Sequence, residues 1–542
     1  MTEMIKKADM NDLLILGIDV GTGSARAGLF DLSGRMVATS KQDISLWRDP
    51  GSIVEQSSSD IWNAVCGAVR AAMKEAEADP ARIAGIGFDA TCSLVVLGEG
   101  GSSLAVGPSE DPNRDIIVWM DHRAVGQAER INAAGHDVLK YVGGRISPEM
   151  ETPKLLWLKE ERPEIFKRAW QFFDLADFLT WKATGDLSRS TCTVTCKWTY
   201  LAHERRWDET YFRQIGLGEL ADEGFARIGT KIVEPGTRLG NGLTPAAASD
   251  LGLLEGTPVA AGMIDAHAGG IGTVGIEGNP ETHMAYVFGT SSCTMTTTAN
   301  PVFIPGVWGP YFSAMIPGMW LNEGGQSAAG AAIDRLVEGH PASQKAQEIA
   351  QERGISVNEL LTEILMATVT SVSDLVYQVS GLHVVPEFLG NRAPNADPHA
   401  RAIISGLGIE RDIESLAKLY LAGVLGIGYG LRQIIDTQTE AGAPIDKVVI
   451  SGGAGQSALI RQLLADATGK PVLASDAEEP VLLGAALLGS VAGEVFPDLR
   501  TAMAKTSRIG ATYLPSDGEV QALHANRYSA FLKLQKLAKE IR

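Results

Sequence analysis

Cysteine is scarce in this chain. Five occur in 542 residues: Cys66, Cys92, Cys192, Cys196 and Cys293. So small and odd a set does not make a disulfide framework, and a reducing, cytoplasmic setting is expected. Cys192 and Cys196 have the spacing of half a metal site. No second Cys or His pair lies near them in the chain, so they read as an incidental pair. Long apolar runs are missing too. The longest, 419–431 and 481–493, are too short for a membrane span and rich in Gly and Ala. They read as helices buried where backbones approach closely. Positive charge is in deficit, with 47 Lys and Arg against 65 Asp and Glu, a net −18. Nucleic acid, which needs a basic surface, is thereby excluded as a partner. A phosphorylated small molecule is not excluded. Backbone amides, helix N-termini and a divalent metal can hold phosphate with few lysines. No leader pattern is visible ahead of the first apolar run, which leads straight into a glycine turn.

Glycine, by contrast, is abundant at 60 residues. It clusters in short turns after apolar runs, and one such pattern occurs twice. Leu13–Ile18 leads into Asp19-Val20-Gly21-Thr22-Gly23-Ser24, and Met284–Val287 leads into Phe288-Gly289-Thr290-Ser291-Ser292. A strand ending in Gly-Thr leaves backbone N–H groups and hydroxyls open to an anion. Two such turns in two halves suggest a nucleotide phosphate chain gripped from both sides of a cleft. Only the first carries a carboxylate, Asp19, as expected if Mg²⁺ is held on one side.

At this length two large domains are expected. The opening segment reads as three antiparallel strands (13–19, 24–31 and 35–40), a helix over 59–77, and a further strand over 83–88 that ends in a turn at 89–93. The second half repeats this logic, and the boundary falls within 272–283. The fold class is therefore α/β, with two ribonuclease-H-like domains, 1–275 and 276–542, facing a cleft. A long small-residue helix is expected over 413–437. A tail helix over 519–542 is expected to bury Phe531, Leu534, Leu537 and Ile541 and to expose its lysines.

Six ordered blocks within 13–495 resemble the FGGY carbohydrate kinases. They are Asp19-x-Gly-Thr-x-Ser-x-Arg26, Trp119–Arg123, Gly262–His267, the second Gly-Thr turn, Phe388–Pro394, and Gly452–Ser457. The resemblance implies that Asp265 is the base that deprotonates the attacking sugar hydroxyl. Asp19 would hold Mg²⁺, while Gly21, Thr22, Gly23, Ser24 and Arg26 meet one side of the ATP phosphates. Gly289 and Thr290 would meet the other side, with Gly330 at a nucleotide-contacting turn and Gly453 and Ala454 against adenosine. For these glycines tight packing is the competing explanation. Lys197 and Glu323 would bond sugar hydroxyls, with Cys92 at the pocket wall. A surface lysine on a strand is the alternative for Lys197. Asp121 either touches substrate or pins its strand.

Asp89-Ala90-Thr91, Ile264–His267 and Glu323–Gln326 resemble the ribulokinase branch. The turns expected of xylulokinases and glycerol kinases are lacking. The implied activity is ATP-dependent phosphorylation of a pentulose, D-ribulose to D-ribulose 5-phosphate. L-ribulose, D-xylulose and ribitol are the alternative acceptors. A non-enzymatic ATP-driven switch on the same fold is the alternative of another class. The family also admits a homodimer.

Overall fold

The computed structural model describes residues 12–275 and 279–542, all with side chains but Ala454. The junction expected between 275 and 276 abuts residues outside that set. The first sheet is built from β1 (Leu14–Val20), β2 (Ser24–Asp31), β3 (Met36–Asp43), β4 (Ile83–Ala90) and β5 (Met263–Ile264), in the order β5-β4-β1-β2-β3. β1, β2 and β3 run antiparallel, while β4 pairs parallel with both β1 and β5. β1 and β4 are buried along their whole length, as strands covered on both faces must be. Helix α1 (Ser58–Glu75) covers one face. Its N-cap Ser57 accepts from the Asp60 N–H, and Ile61, Val65 and Val69 are buried at helical spacing. Two further helices bear on function: α2 (Thr191–Trp198), between β4 and β5 in the chain, and α3 (Asp265–Val274), which follows β5 directly.

The second sheet comprises β6 (His283–Phe288), β7 (Ser292–Thr298), β8 (Trp308–Phe312), β9 (Trp320–Gln326), β10 (Lys447–Ser451), β11 (Val472–Ser475) and β12 (Ile509–Tyr513). Its order is β8-β9-β7-β6-β10-β11-β12. The inner five strands repeat the order and direction of the first sheet, with β6 in the place of β1. The helices that follow its strands in the chain include α4 (Gly330–Glu338), α5 (Ile413–Glu440), α6 (Pro480–Ala492) and α7 (Gly518–Glu540). The two halves therefore match the mixed α/β kinase architecture expected from the sequence.

Helix α6 shows why the chain spends glycine where it does. Although it follows the second sheet, it packs on β1, β4 and α3 of the first. A Cβ on Gly87 would lie 1.8 Å from the Ala485 carbonyl, and one on Gly17 would lie 2.0 Å from that of Leu482. Strand and helix backbones are thus in direct contact, and no side chain fits between them. Segment 481–493 is a buried close-contact helix, as its composition suggests.

Three local expectations are corrected. Asp89 is not in a turn: β4 runs through Ala90. Lys197 is neither on the surface nor on a strand, being buried in α2. On α7, Phe531 is buried but Leu537 and Ile541 are exposed. The helix instead buries Arg527, whose guanidinium donates to the Leu382 carbonyl at 2.7 Å.

Candidate active site

The two glycine turns have matching geometry. In the first, the Gly21 N–H donates to the Ser24 carbonyl at 3.0 Å. Trp119 Nε1 donates to Thr22 Oγ1 at 3.0 Å, and Gln56 Nε2 donates to the Thr22 carbonyl at 2.8 Å. In the second, the Gly289 N–H donates to the Ser291 carbonyl at 2.9 Å. The Gly330 N–H, at the start of α4, donates to the Gly289 carbonyl at 2.9 Å. Tight packing does not explain these glycines. A Cβ on Gly23 or Gly453 would meet nothing within 4 Å, and one on Gly289 only the Ser291 carbonyl at 3.7 Å. The space beside them is left open by the protein. Gly330 differs, because its Cβ would press on the Gly289 carbonyl at 2.8 Å. Gly289, Thr290, Gly330 and Gly453 line one cavity of about 890 Å³, together with Asp334 and Ser457. The backbone of Ala454 is in the same short turn.

Asp19, near the end of β1, is buried, and its carboxylate accepts from Arg26 Nε at 2.7 Å. Arg26 Nη1 also donates to Glu479, just ahead of α6, at 2.8 Å. The Arg26 guanidinium is thus engaged by two carboxylates and braces Asp19. Asp89 stands opposite Asp19 in the β1–β4 register, fully buried. Neither of its carboxylate oxygens has a hydrogen-bond partner. Burial, then the adjacent Asp19 and then Asp265, pushes Asp89 well above the usual carboxylate range. Asp265, at the N-terminus of α3, is half-buried, and its Oδ1 accepts from the Ala266 N–H at 2.7 Å. Desolvation and the Asp19 charge push Asp265 up to about 6.

Lys197, Glu323 and Cys92 are all buried, and the Lys197 charge acts on Asp265. Lys197 Nζ sits 4.6 Å from the centre of the Trp308 ring. Burial alone would lower the Lys197 pKa. Acidic neighbours, the ionised Glu323 carboxylate among them, outweigh it and push Lys197 well above the usual lysine range. Burial likewise works against the Glu323 carboxylate, but Lys197, His267 and Arg392 hold it down at about 2. The Tyr311 hydroxyl is buried without a partner. These buried groups comprise a cation, an anion and an unsatisfied hydroxyl, a set suited to a polyhydroxylated ligand.

Asp121 does not join this group. Its carboxylate accepts from the Val54 N–H at 2.6 Å and from the Arg123 backbone and guanidinium. It pins a strand end.

Cys192 and Cys196, read as incidental for want of a histidine nearby in sequence, have one nearby in space. His267, 75 residues beyond Cys192, places Nδ1 3.1 Å from Cys192 Sγ and Nε2 3.3 Å from Glu323 Oε2.

Comparison with known proteins decides the family. The N-terminal domain of the FGGY family of carbohydrate kinases matches residues 14–272, and its C-terminal domain matches 284–493. The chain belongs to the FGGY family of carbohydrate kinases. It is a sugar kinase, and kinases of this family use ATP; a non-enzymatic switch is set aside. This kinase is 46% identical over 536 residues to the human FGGY carbohydrate kinase domain-containing protein, covering 97% of this chain and 96% of the human one. It is 39% identical over 551 residues to a D-ribulokinase of Saccharomyces cerevisiae, covering 94% and 77% of the two chains. Its fold matches the xylulose kinase of Rhodospirillum rubrum with a TM-score of 0.80 at 20% identity, over 97% and 99% of the two chains. No helix among the described residues is long and apolar enough to cross a membrane.

The kinase's donor set fits magnesium. Asp19 and Asp89, side by side in the β1–β4 register, supply hard oxygen donors, and the Asp89 oxygens are buried. Sequence reasoning assigned Asp89 no metal role because it placed the residue in a turn. The missed signal was that two apolar runs, 13–18 and 83–88, both end in Asp. Parallel neighbouring strands bring such ends together. Trp308, Tyr311 and Arg392 were also missed, since each approaches the pocket only through sheet pairing or a long loop.

Proposed function

We propose that this kinase transfers the γ-phosphoryl group of ATP to the terminal hydroxyl of D-ribulose, giving D-ribulose 5-phosphate and ADP. The observation that carries this reading is the position of Asp265 between two unlike surroundings. The Asp19 carboxylate and the Lys197 ammonium both act on its carboxylate, and Lys197 acts in turn on Glu323. The likeness to a D-ribulokinase along most of the chain supports the choice of sugar.

In this reading Gly21, Thr22, Gly23 and Ser24 cradle phosphate from the first domain. Gly289 and Thr290 do so from the second, while Gly330, Gly453 and Ala454 border adenosine. Asp19 and Asp89 would hold magnesium, which when bound offsets phosphate charge. Lys197 donates to sugar hydroxyls and Glu323 accepts from them, with Cys92 closing the wall. The Asp265 carboxylate takes the proton of the attacking hydroxyl. The oxygen–phosphorus bond to the sugar forms as the bond to the ADP oxygen breaks. Closure over both substrates excludes water and suppresses ATP hydrolysis. Five free cysteines fit a reducing cytoplasm as the site of the reaction.

The test is sugar-dependent ADP release across D-ribulose, L-ribulose, D-xylulose and ribitol. D-Ribulose is expected to give the highest kcat/KM. A higher value for any of the other three would overturn the choice of sugar.

A further inference from the structure

Behind the sugar pocket lies a cluster that the phosphoryl-transfer chemistry does not use. Cys192 and Cys196 are four residues apart on α2, so their side chains stack on one face. His267 comes from the first turn of α3. All three are fully buried. Cys192 Sγ, Cys196 Sγ and a ring nitrogen of His267 all lie within 4.8 Å of one another, the one such group of three found among the described residues. A tetrahedral zinc ion binds sulfur at about 2.3 Å and imidazole nitrogen at about 2.0–2.1 Å, which sets donor atoms roughly 3.4–3.8 Å apart. The separation of 3.1 Å between Cys192 Sγ and His267 Nδ1 is already close to that spacing.

A second feature is independent of the donor count. The remaining ring nitrogen of His267 faces Glu323 Oε2 at 3.3 Å. A carboxylate on the far nitrogen is the usual partner of a metal-bound histidine, because it fixes ring orientation and tautomer. Here it directs Nδ1 toward the two sulfurs. The donors are soft, two thiolates and an imidazole. They differ in kind from the Asp19 and Asp89 carboxylates, so the two places select different ions.

We propose that Cys192, Cys196 and His267 form a binding site for one soft divalent cation, zinc first among them, which ties α2 to α3 beneath the sugar pocket. Three protein donors leave a fourth coordination position. Lys197 follows Cys196 directly and Glu323 holds His267, so the ion and the sugar share supporting residues. The site rests on its own geometry and does not depend on which sugar is phosphorylated.

The experiment equilibrates the full-length protein with Zn²⁺ in excess Mg²⁺, removes free ion, and measures metal per chain. One zinc per chain is expected, retained by Cys66→Ser and lost in the Cys192→Ser/Cys196→Ser double variant. No retained zinc, or equal retention by the double variant, overturns the proposal. Cobalt on the unmutated protein gives a readout that does not depend on the variant folding. Thiolate-to-cobalt charge transfer with intense tetrahedral visible bands is expected. The weak spectrum of an all-oxygen octahedral site would contradict it.

Discussion

Asp265 has a protonation state set by its surroundings. Desolvation and the neighbouring Asp19 place its pKa at about 6. Only the ionised carboxylate can accept the hydroxyl proton. kcat/KM for the sugar should therefore fall about tenfold per pH unit below 6 and level off above it. A profile still flat at pH 5 would remove Asp265 from the role of base. Glu323, held at about 2, stays ionised throughout and adds no second step to that limb. The open glycines give another residue-scale prediction. Gly289→Ala places a methyl group in space the protein leaves free, so stability should change by no more than about 0.5 kcal/mol. The KM for ATP should rise several-fold while the KM for sugar holds. Equal increases in both would mean that Gly289 does not border the nucleotide.

Helix α6 carries the chain's tightest constraint at the element scale. Gly87→Ala would force a methyl group into the Ala485 carbonyl, and relief requires helix and sheet to part. Overpacking of this kind costs about 1–3 kcal/mol, so the melting temperature should drop by several degrees. Unchanged thermal unfolding would contradict the close contact. Elements whose reasons are local were legible in the sequence. β2 runs Ser24–Asp31 as expected from the turns that bound it, and α1 starts at its Ser/Asp cap. Elements whose reasons are tertiary were not. Nothing in the periodicity of α7 foretells that Arg527 is buried to bond carbonyls near residue 380, or that Ile541 is left in solvent.

At the scale of the whole molecule, a repeated strand order gives each half its own glycine turn behind its leading strand. The turns were readable because a strand followed by Gly-Thr is a local pattern. Asp89 and His267 gain their partners only through β1–β4 pairing and α2–α3 packing, which join residues about 70 or more positions apart. Binding of D-ribulose with a non-hydrolysable ATP analogue should close the cleft and reduce the radius of gyration in solution scattering, more than either ligand alone. An unchanged radius with both bound would argue against closure.

The most direct test of the central claim compares unmutated protein with Asp265→Asn, reading D-ribulose-dependent ADP release alongside calorimetric binding of the sugar. The account predicts turnover reduced about 10²–10⁴-fold with sugar affinity preserved. Near-normal turnover in Asp265→Asn would contradict it.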